Sequence, residues 1–336
     1  MAIAQNNSQK ASGAMVGLAI GDAMGKATEG VPKKIFDRAA AGIREFRKAP
    51  ENHPCFHLGA NQYTDDTQQA VLLAESIVDR QRVDINDFGW KIAIWGEMCR
   101  TVPNFDRWAG NTSLEAAKRI FEGREPRHSG SLSTESNGSA MRSAPVGIAY
   151  PDSEVAFSMG KQSSVPTHAS QISQDAAGFV AGMISSLVHS GAEPAEAVQS
   201  ALAGVKSEKF AAAIRLALMI SRLASETAEA ILGTGTNASQ SVAFALYSFL
   251  HTPKDFEATM VTAVNIDKGD SDTIAAIAGA FSGAYNGLSE IPVKFLSVEN
   301  FEYIKGLGEK LYELSQAAIE WVMSKPATAK PGKPLF

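Results

Sequence analysis

Apolar positions recur at helical spacing along almost the whole chain, and alternating β-branched runs of the kind that make half-buried strands are nearly absent. The clearest stretch is 66–80. There Ala70, Leu73, Ala74, Ile77 and Val78 follow the i, i+3, i+4, i+7, i+8 pattern and lay one apolar stripe on a core, while Gln68, Glu75 and Asp79 fall on the other face. The same reading predicts helices over 11–26, 87–99, 153–161, 171–189, 194–205, 208–224, 239–251, 254–264, 272–285 and 301–323. Thr112-Ser-Leu-Glu115 has the form of a capping box ahead of the run 116–121, with Gly123 as the stop. The fold class is therefore all-α. No internal period, heptad run or polar linker divides the chain, so one compact helical domain is expected over 11–323. It would be flanked by a flexible segment 1–10 and a Pro/Lys-rich tail 324–336.

Small residues qualify this picture. Ala and Gly dominate 275–284, leaving a helix with little bulk on any side, suited to close packing in the middle of a bundle. Gly17, Gly21 and Gly25 stand one helical turn apart and open the backbone to a neighbouring helix or a ligand, and Asp22 among them needs a partner. The loops 48–63 and 125–137 are long and polar, a length that inside a helical domain usually serves function.

Composition narrows the partners. With 31 Lys plus Arg against 36 Asp plus Glu, the net charge of −5 provides no basic footprint for nucleic acid as a main partner. Cys55 and Cys99 fit no metal or redox spacing, which suits a reducing compartment. No basic segment leads into an apolar one at the N-terminus, and the apolar runs fall short of the roughly 18 residues of a membrane span. A cytoplasmic location without membrane attachment is expected.

The candidate chemistry lies in two acidic clusters, Thr64-Asp65-Asp66-Thr67 and Asp270-Ser271-Asp272-Thr273, each at the start of a helical pattern. Neither acidic pair can share a face of a regular helix, so each must act from a loop or a first turn. Helix capping would account for either cluster alone. Both together hold more carboxylates than capping needs, and four that met in space would repel one another unless cations neutralised them. Mg²⁺, which prefers carboxylate and hydroxyl oxygens, suits such a set, and a dinuclear site is the expectation. Asn137-Gly-Ser-Ala-Met-Arg142 offers small residues ahead of Ala140, where backbone N–H groups at a helix start would cradle phosphate. Other readings lack their structural context. An aspartyl-phosphate loop at Asp270 requires parallel βαβ units, an EF-hand over 267–272 lacks its Gly and its final acid, and Gly233-x-Gly235-x-x-Ala238 follows no strand. Trp90, Trp95 and Trp108 are assigned to packing rather than to a base-stacking site.

Over 11–312 the chain resembles the ADP-ribosylglycohydrolase family, which includes the dinitrogenase-reductase-activating glycohydrolases. The likeness is carried by 17–29, 64–67, 137–142, Thr167-His168 and the block 269–287. The resemblance implies many orthogonally packed helices around a cleft holding two Mg²⁺ ions, with Mn²⁺ as a substitute. Family ligands fall on Thr64, Asp65, Asp66, Asp270, Asp272 and Thr273, with Glu29 as a further ligand or a movable gate. Asn137, Gly138, Ser139, Ala140 and Met141 would hold the diphosphate and proximal ribose, and His168 would reach the sugar or a neighbouring loop. The implied activity is hydrolysis of the N- or O-glycosidic bond between ADP-ribose and an acceptor by metal-activated water at the anomeric carbon, with Asp66 or Glu29 taking the proton. The acceptor would be a protein side chain such as arginine or serine, a nucleobase or a small molecule, and the enzyme a monomer. The alternatives are a catalytically weak ADP-ribose-binding or toxin-immunity protein on the same scaffold, and a Mg²⁺-dependent phosphatase. The chain departs from the family's Gly-Gly-Asp-Thr-Asp-Thr at Lys268-Gly-Asp-Ser-Asp-Thr273, from Thr-His-Ser at Thr167-His-Ala169, and in the form of 56–63.

Overall fold

A computed structural model describes residues 2–36 and 42–323. Its helices are α1 (Ala2–Gly25), α2 (Lys33–Phe36), α3 (Asp65–Arg80), α4 (Ile85–Thr101), α5 (Asn111–Phe121), α6 (Ala144–Ala149), α7 (Ser153–Ser164) and α8 (Gln171–Ser185). These are followed by α9 (Pro194–Leu202), α10 (Glu208–Ile220), α11 (Ser225–Leu232), α12 (Ala238–His251), α13 (Phe256–Val264), α14 (Ser271–Asn286) and α15 (Phe301–Met323). Among the described residues the only pairing of extended backbone is two isolated bridges, Ser131 with His168 and Ser136 with Asn237. The fold is all-α, and the parallel units that a phosphatase or dinucleotide reading needs are missing from it.

The small-residue stripes explain the centre of the molecule. α1 and α14 run antiparallel with their backbones touching. A Cβ on Gly17 would stand 2.2 Å from the Gly279 carbonyl oxygen, one on Gly21 1.9 Å from that of Ala275, and one on Gly25 2.5 Å from the Cα of Asp272. Any side chain at these positions would force the pair apart. The neighbour that the glycine spacing calls for is a helix, and the contact brings the end of α1 against the beginning of α14. α13, α12, α15 and α8 surround the pair. Buried apolar residues from α1 through α15 form one continuous cluster, with a small satellite of Ala49, Cys55 and Leu58 under the loop before α3.

Several expectations are corrected. α1 begins at Ala2 rather than at the expected residue 11, and Lys10 donates to the Leu187 carbonyl at 3.2 Å. The tail 324–336 lies outside the described residues. The Thr112 capping box does not form, because α5 starts at Asn111 with Gly110 in the cap position and no side-chain cap bond. α6 and α11 were not foreseen. Every residue of α6 is buried, which removes the apolar-polar alternation that periodicity detects. Of the tryptophans, Trp95 is buried as expected, but Trp90 and Trp108 are 48% and 38% exposed. No helix of the described residues is long and apolar enough to cross a membrane.

Candidate active site

The site forms where α1 ends, α3 begins and α14 begins. Asp22, wholly buried in the last turn of α1, provides the cap of α3 from a distance. Its Oδ1 accepts the Thr64 N–H and hydroxyl, each at 2.8 Å, and its Oδ2 accepts the Thr67 N–H at 2.9 Å and hydroxyl at 2.6 Å. Thr64, in the cap position, makes no side-chain cap bond of its own. Asp270, in the cap position of α14, makes none either. Capping therefore does not account for the acidic clusters: on α3 a different residue performs it, and on α14 the Asp270 side chain is directed elsewhere.

The released carboxylates converge. One carboxylate oxygen from each of Glu29, Asp270 and Asp272 lies within 4.8 Å of the other two. The Thr64 hydroxyl reaches Asp272 Oδ2 at 3.4 Å, which joins the α3 cluster to the α14 cluster. Asp65 accepts from Gln69 Nε2 at 2.7 Å and from the backbone of Gly110, the residue in the α5 cap position. Asp66 Oδ2 is buried with no partner. An unpartnered buried carboxylate oxygen beside four other carboxyls is the environment that hard divalent cations stabilise, and the acidic cluster of Glu29, Asp270 and Asp272 could hold a metal ion. Burial, reinforced by the Asp272 charge, pushes Glu29, Asp65 and Asp66 well above the usual carboxylate range. Burial also raises Asp270, and it raises Asp272 to about 7 and Asp22 to about 6, aided in these last two by a neighbouring carboxylate.

Glu29 sits on a strap after α1 that is fastened on both sides. The Thr28 hydroxyl donates to Ser271 Oγ at 2.8 Å, which donates to the Gly25 carbonyl at 2.9 Å, and the Gly30 N–H donates to the Gly269 carbonyl at 3.0 Å. His53 Nε2 meets the Glu29 carbonyl at 3.0 Å, and its ring packs edge-on against Trp108 with centroids 4.7 Å apart.

Residues 137–142 form a turn rather than a helix start, since α6 begins only at Ala144. The Ala140 and Met141 N–H groups are taken by the Asn137 carbonyl at 2.7 and 3.2 Å, so the backbone donors left to a phosphate are fewer than the sequence suggested. The Asn137 amide donates to Asp270 Oδ2 at 2.5 Å and to Ser241 Oγ at 3.1 Å, and Met141 Sδ lies 4.0 Å from the Thr273 hydroxyl, so both ends of the turn meet the acidic nest. Ser139 points away, donating to the Ser173 carbonyl at 3.0 Å. His168 is buried behind the turn, where a Cβ on Gly138 would come within 2.8 Å of its ring. Its two nitrogens are engaged by Thr167 and Ser136, which sets its ring against the turn and its neighbouring loop.

The whole chain bears comparison with known proteins. The family model for ADP-ribosylglycohydrolases matches residues 4–320. The chain belongs to the ADP-ribosylglycohydrolase family. It is 31% identical to an uncharacterised protein of Archaeoglobus fulgidus, an alignment covering 93% of this chain and 99% of that one. It is 27% identical to ADP-ribosylarginine hydrolase Tri1 of Serratia proteamaculans, over 91% of this chain and 80% of the relative. With human ADP-ribosylhydrolase ARH3 the identity is 23%, over 90% and 93%. A solved structure titled as an ADP-ribosylglycohydrolase-related protein complex superposes with a TM-score of 0.73 at 27% identity, covering 93% of this chain and 99% of that one.

Sequence reasoning missed the residues that support the nest. Asp22 was noted only as needing a partner. Lys26, four residues on, is also buried and donates to the Ala23 and Ala60 carbonyls at 2.9 and 2.7 Å, and burial draws its amine down to about 8. Two ionisable residues one turn apart on an otherwise small-residue helix are the signal that could have found them. Gln69 and Arg142 left no such mark.

Proposed function

We propose that this protein hydrolyses the glycosidic bond between ADP-ribose and an acceptor, using two Mg²⁺ ions, or Mn²⁺ in their place, held by Thr64, Asp65, Asp66, Asp270, Asp272 and Thr273, with Glu29 as a further ligand. The observation that carries this reading is the partnerless, buried Asp66 Oδ2 in a nest of carboxylates that are not spent on helix capping. When bound, the cations supply Lewis-acid chemistry, favouring loss of a proton from water and orientation of ribose hydroxyls. Asp66, whose Oδ2 has no other partner, would accept the water's proton, with Glu29 on its strap as the second candidate. Asn137 holds Asp270 in orientation, and the turn that includes Gly138, Ser139, Ala140 and Met141 receives the diphosphate and proximal ribose. His168 keeps that turn in place. The carboxylates lining the cleft favour the oxocarbenium-like charge that develops as the bond to the acceptor breaks.

The substrate is an ADP-ribosylated protein or small molecule, met by a monomeric cytoplasmic enzyme. An arginine acceptor is supported by the name of the Tri1 relative. Release of ADP-ribose from a panel of arginine-, serine-, nucleobase- and small-molecule-linked substrates, with Mg²⁺ and with EDTA, tests the activity and identifies the acceptor. Asp66→Asn should lower turnover by about 10²–10⁴-fold while the melting temperature of the metal-free protein holds. Tight ADP-ribose binding without release from any substrate would instead identify a binding protein.

A further inference from the structure

We propose that Arg142 is a positioning residue of this site, its buried guanidinium holding the Asp65 carboxylate through Gln69 and one tautomer of His168 through Thr167. The proposal rests on the reading of Asp65 as a metal ligand. Arg142 has no exposed surface, lies over the Phe88 ring with Cζ 5.0 Å from its centroid, and leaves its Nε without a partner. A buried cation is costly unless it meets negative charge or good acceptors. Arg142 finds these in two directions.

On one side Nη1 donates to Gln69 Oε1 at 2.5 Å, and Gln69 Nε2 donates to Asp65 Oδ2 at 2.7 Å. A guanidinium has only donors, so Gln69 must turn its carbonyl to Arg142, and its amide hydrogens are thereby presented to Asp65. Asp65 and Gln69 are one turn apart on α3, the spacing at which side chains meet. One Asp65 oxygen is thus fixed by a neutral amide braced by a positive charge. A direct salt bridge would neutralise the carboxylate, and the relay avoids that.

On the other side Nη2 donates to Thr167 Oγ1 at 2.6 Å, and that hydroxyl lies 2.7 Å from His168 Nδ1. With one lone pair of its oxygen accepting from Arg142, Thr167 turns its hydrogen to Nδ1 in our assignment, which leaves the ring proton on Nε2 facing Ser136 Oγ at 3.1 Å. Burial, joined by the charge of Arg142, lowers the basicity of His168 and keeps the ring neutral. One side chain therefore coordinates the metal face and the substrate turn, which meet at Asn137 and Asp270.

The two arms can be separated. Calorimetric titration of the metal-free protein with Mn²⁺, ¹⁵N spectra of His168 and melting temperatures would be compared for wild type, Gln69→Leu, Thr167→Val and Arg142→Lys. Gln69→Leu should weaken Mn²⁺ binding by about 10- to 100-fold, the usual cost of removing a group that orients a metal ligand, with the His168 tautomer unchanged. Thr167→Val should leave Mn²⁺ affinity at the wild-type value and admit the Nδ1–H tautomer. Arg142→Lys, which keeps the charge without the fork, should disturb both. Wild-type Mn²⁺ affinity in Gln69→Leu, or a loss that only tracks its melting temperature, overturns the metal arm, and an unchanged tautomer in Thr167→Val overturns the other. Wild-type protein that takes up no Mn²⁺ would overturn the metal reading itself, a result distinct from either.

Discussion

Asp22 shows how a single carboxylate decides what its neighbours are free to do. By accepting two N–H and two hydroxyl bonds from Thr64 and Thr67, it relieves Asp65 and Asp66 of the capping role that their position in the first turn would otherwise impose. Asp22→Asn should be costly, because an amide cannot accept at both ends, and a buried donor left unmatched costs about 1–3 kcal/mol. Chemical denaturation without metal would measure the loss. The acidic pairs were legible in the sequence because their residues are adjacent or nearly so there. The Asp22 bonds span 42 and 45 residues and leave no local pattern. Lys268 is legible in another sense. It stands where the family has glycine, and its φ of +56° lies in the left-handed region, so Lys268→Gly should stabilise the protein by about 1 kcal/mol, read as a rise in melting temperature.

At the scale of elements, the contact between α1 and α14 determines where the carboxylates of Glu29, Asp270 and Asp272 meet. Gly21→Ala would drive a methyl to within 1.9 Å of a backbone oxygen, and the displaced helices would carry Asp22 and Glu29 away from Asp270 and Asp272. Loss of at least 3 kcal/mol of stability together with Mn²⁺ binding is the expected outcome, on the scale of severe overpacking. Gly306 in α15 is a suitable control, since a Cβ there meets nothing within 4 Å. Gly306→Ala should gain up to about 1 kcal/mol from helix propensity. Most helices with an exposed face were readable from their periodicity, the short α11 excepted. The start of α5 was misread because its cap position is a glycine whose backbone serves Asp65, a requirement of the site that has no counterpart in capping-box statistics. α6 went unseen because burial on every side leaves no face to detect.

Across the whole molecule the nest makes metal-free stability depend on pH. Asp22 and Asp272 are raised to about 6 and about 7 from 3.8, so each favours folding when protonated. That contribution is fully present below about pH 4, and it is lost as pH rises through 6 to 7 and the buried carboxyls must ionise. The melting temperature of metal-free protein should therefore fall between pH 5 and 8, and saturating Mg²⁺ should abolish the slope because cations take over the neutralising role of the protons. A metal-free curve that climbs over that range would contradict the arrangement. The bonds that fasten the Glu29 strap to α14 cross 243 and 246 residues of chain, so α1 finds its partner only by closing a very long loop. Until that loop closes the glycine ridge of α1 lies uncovered, which makes this a slow-closing topology that exposes small-residue surface while it folds.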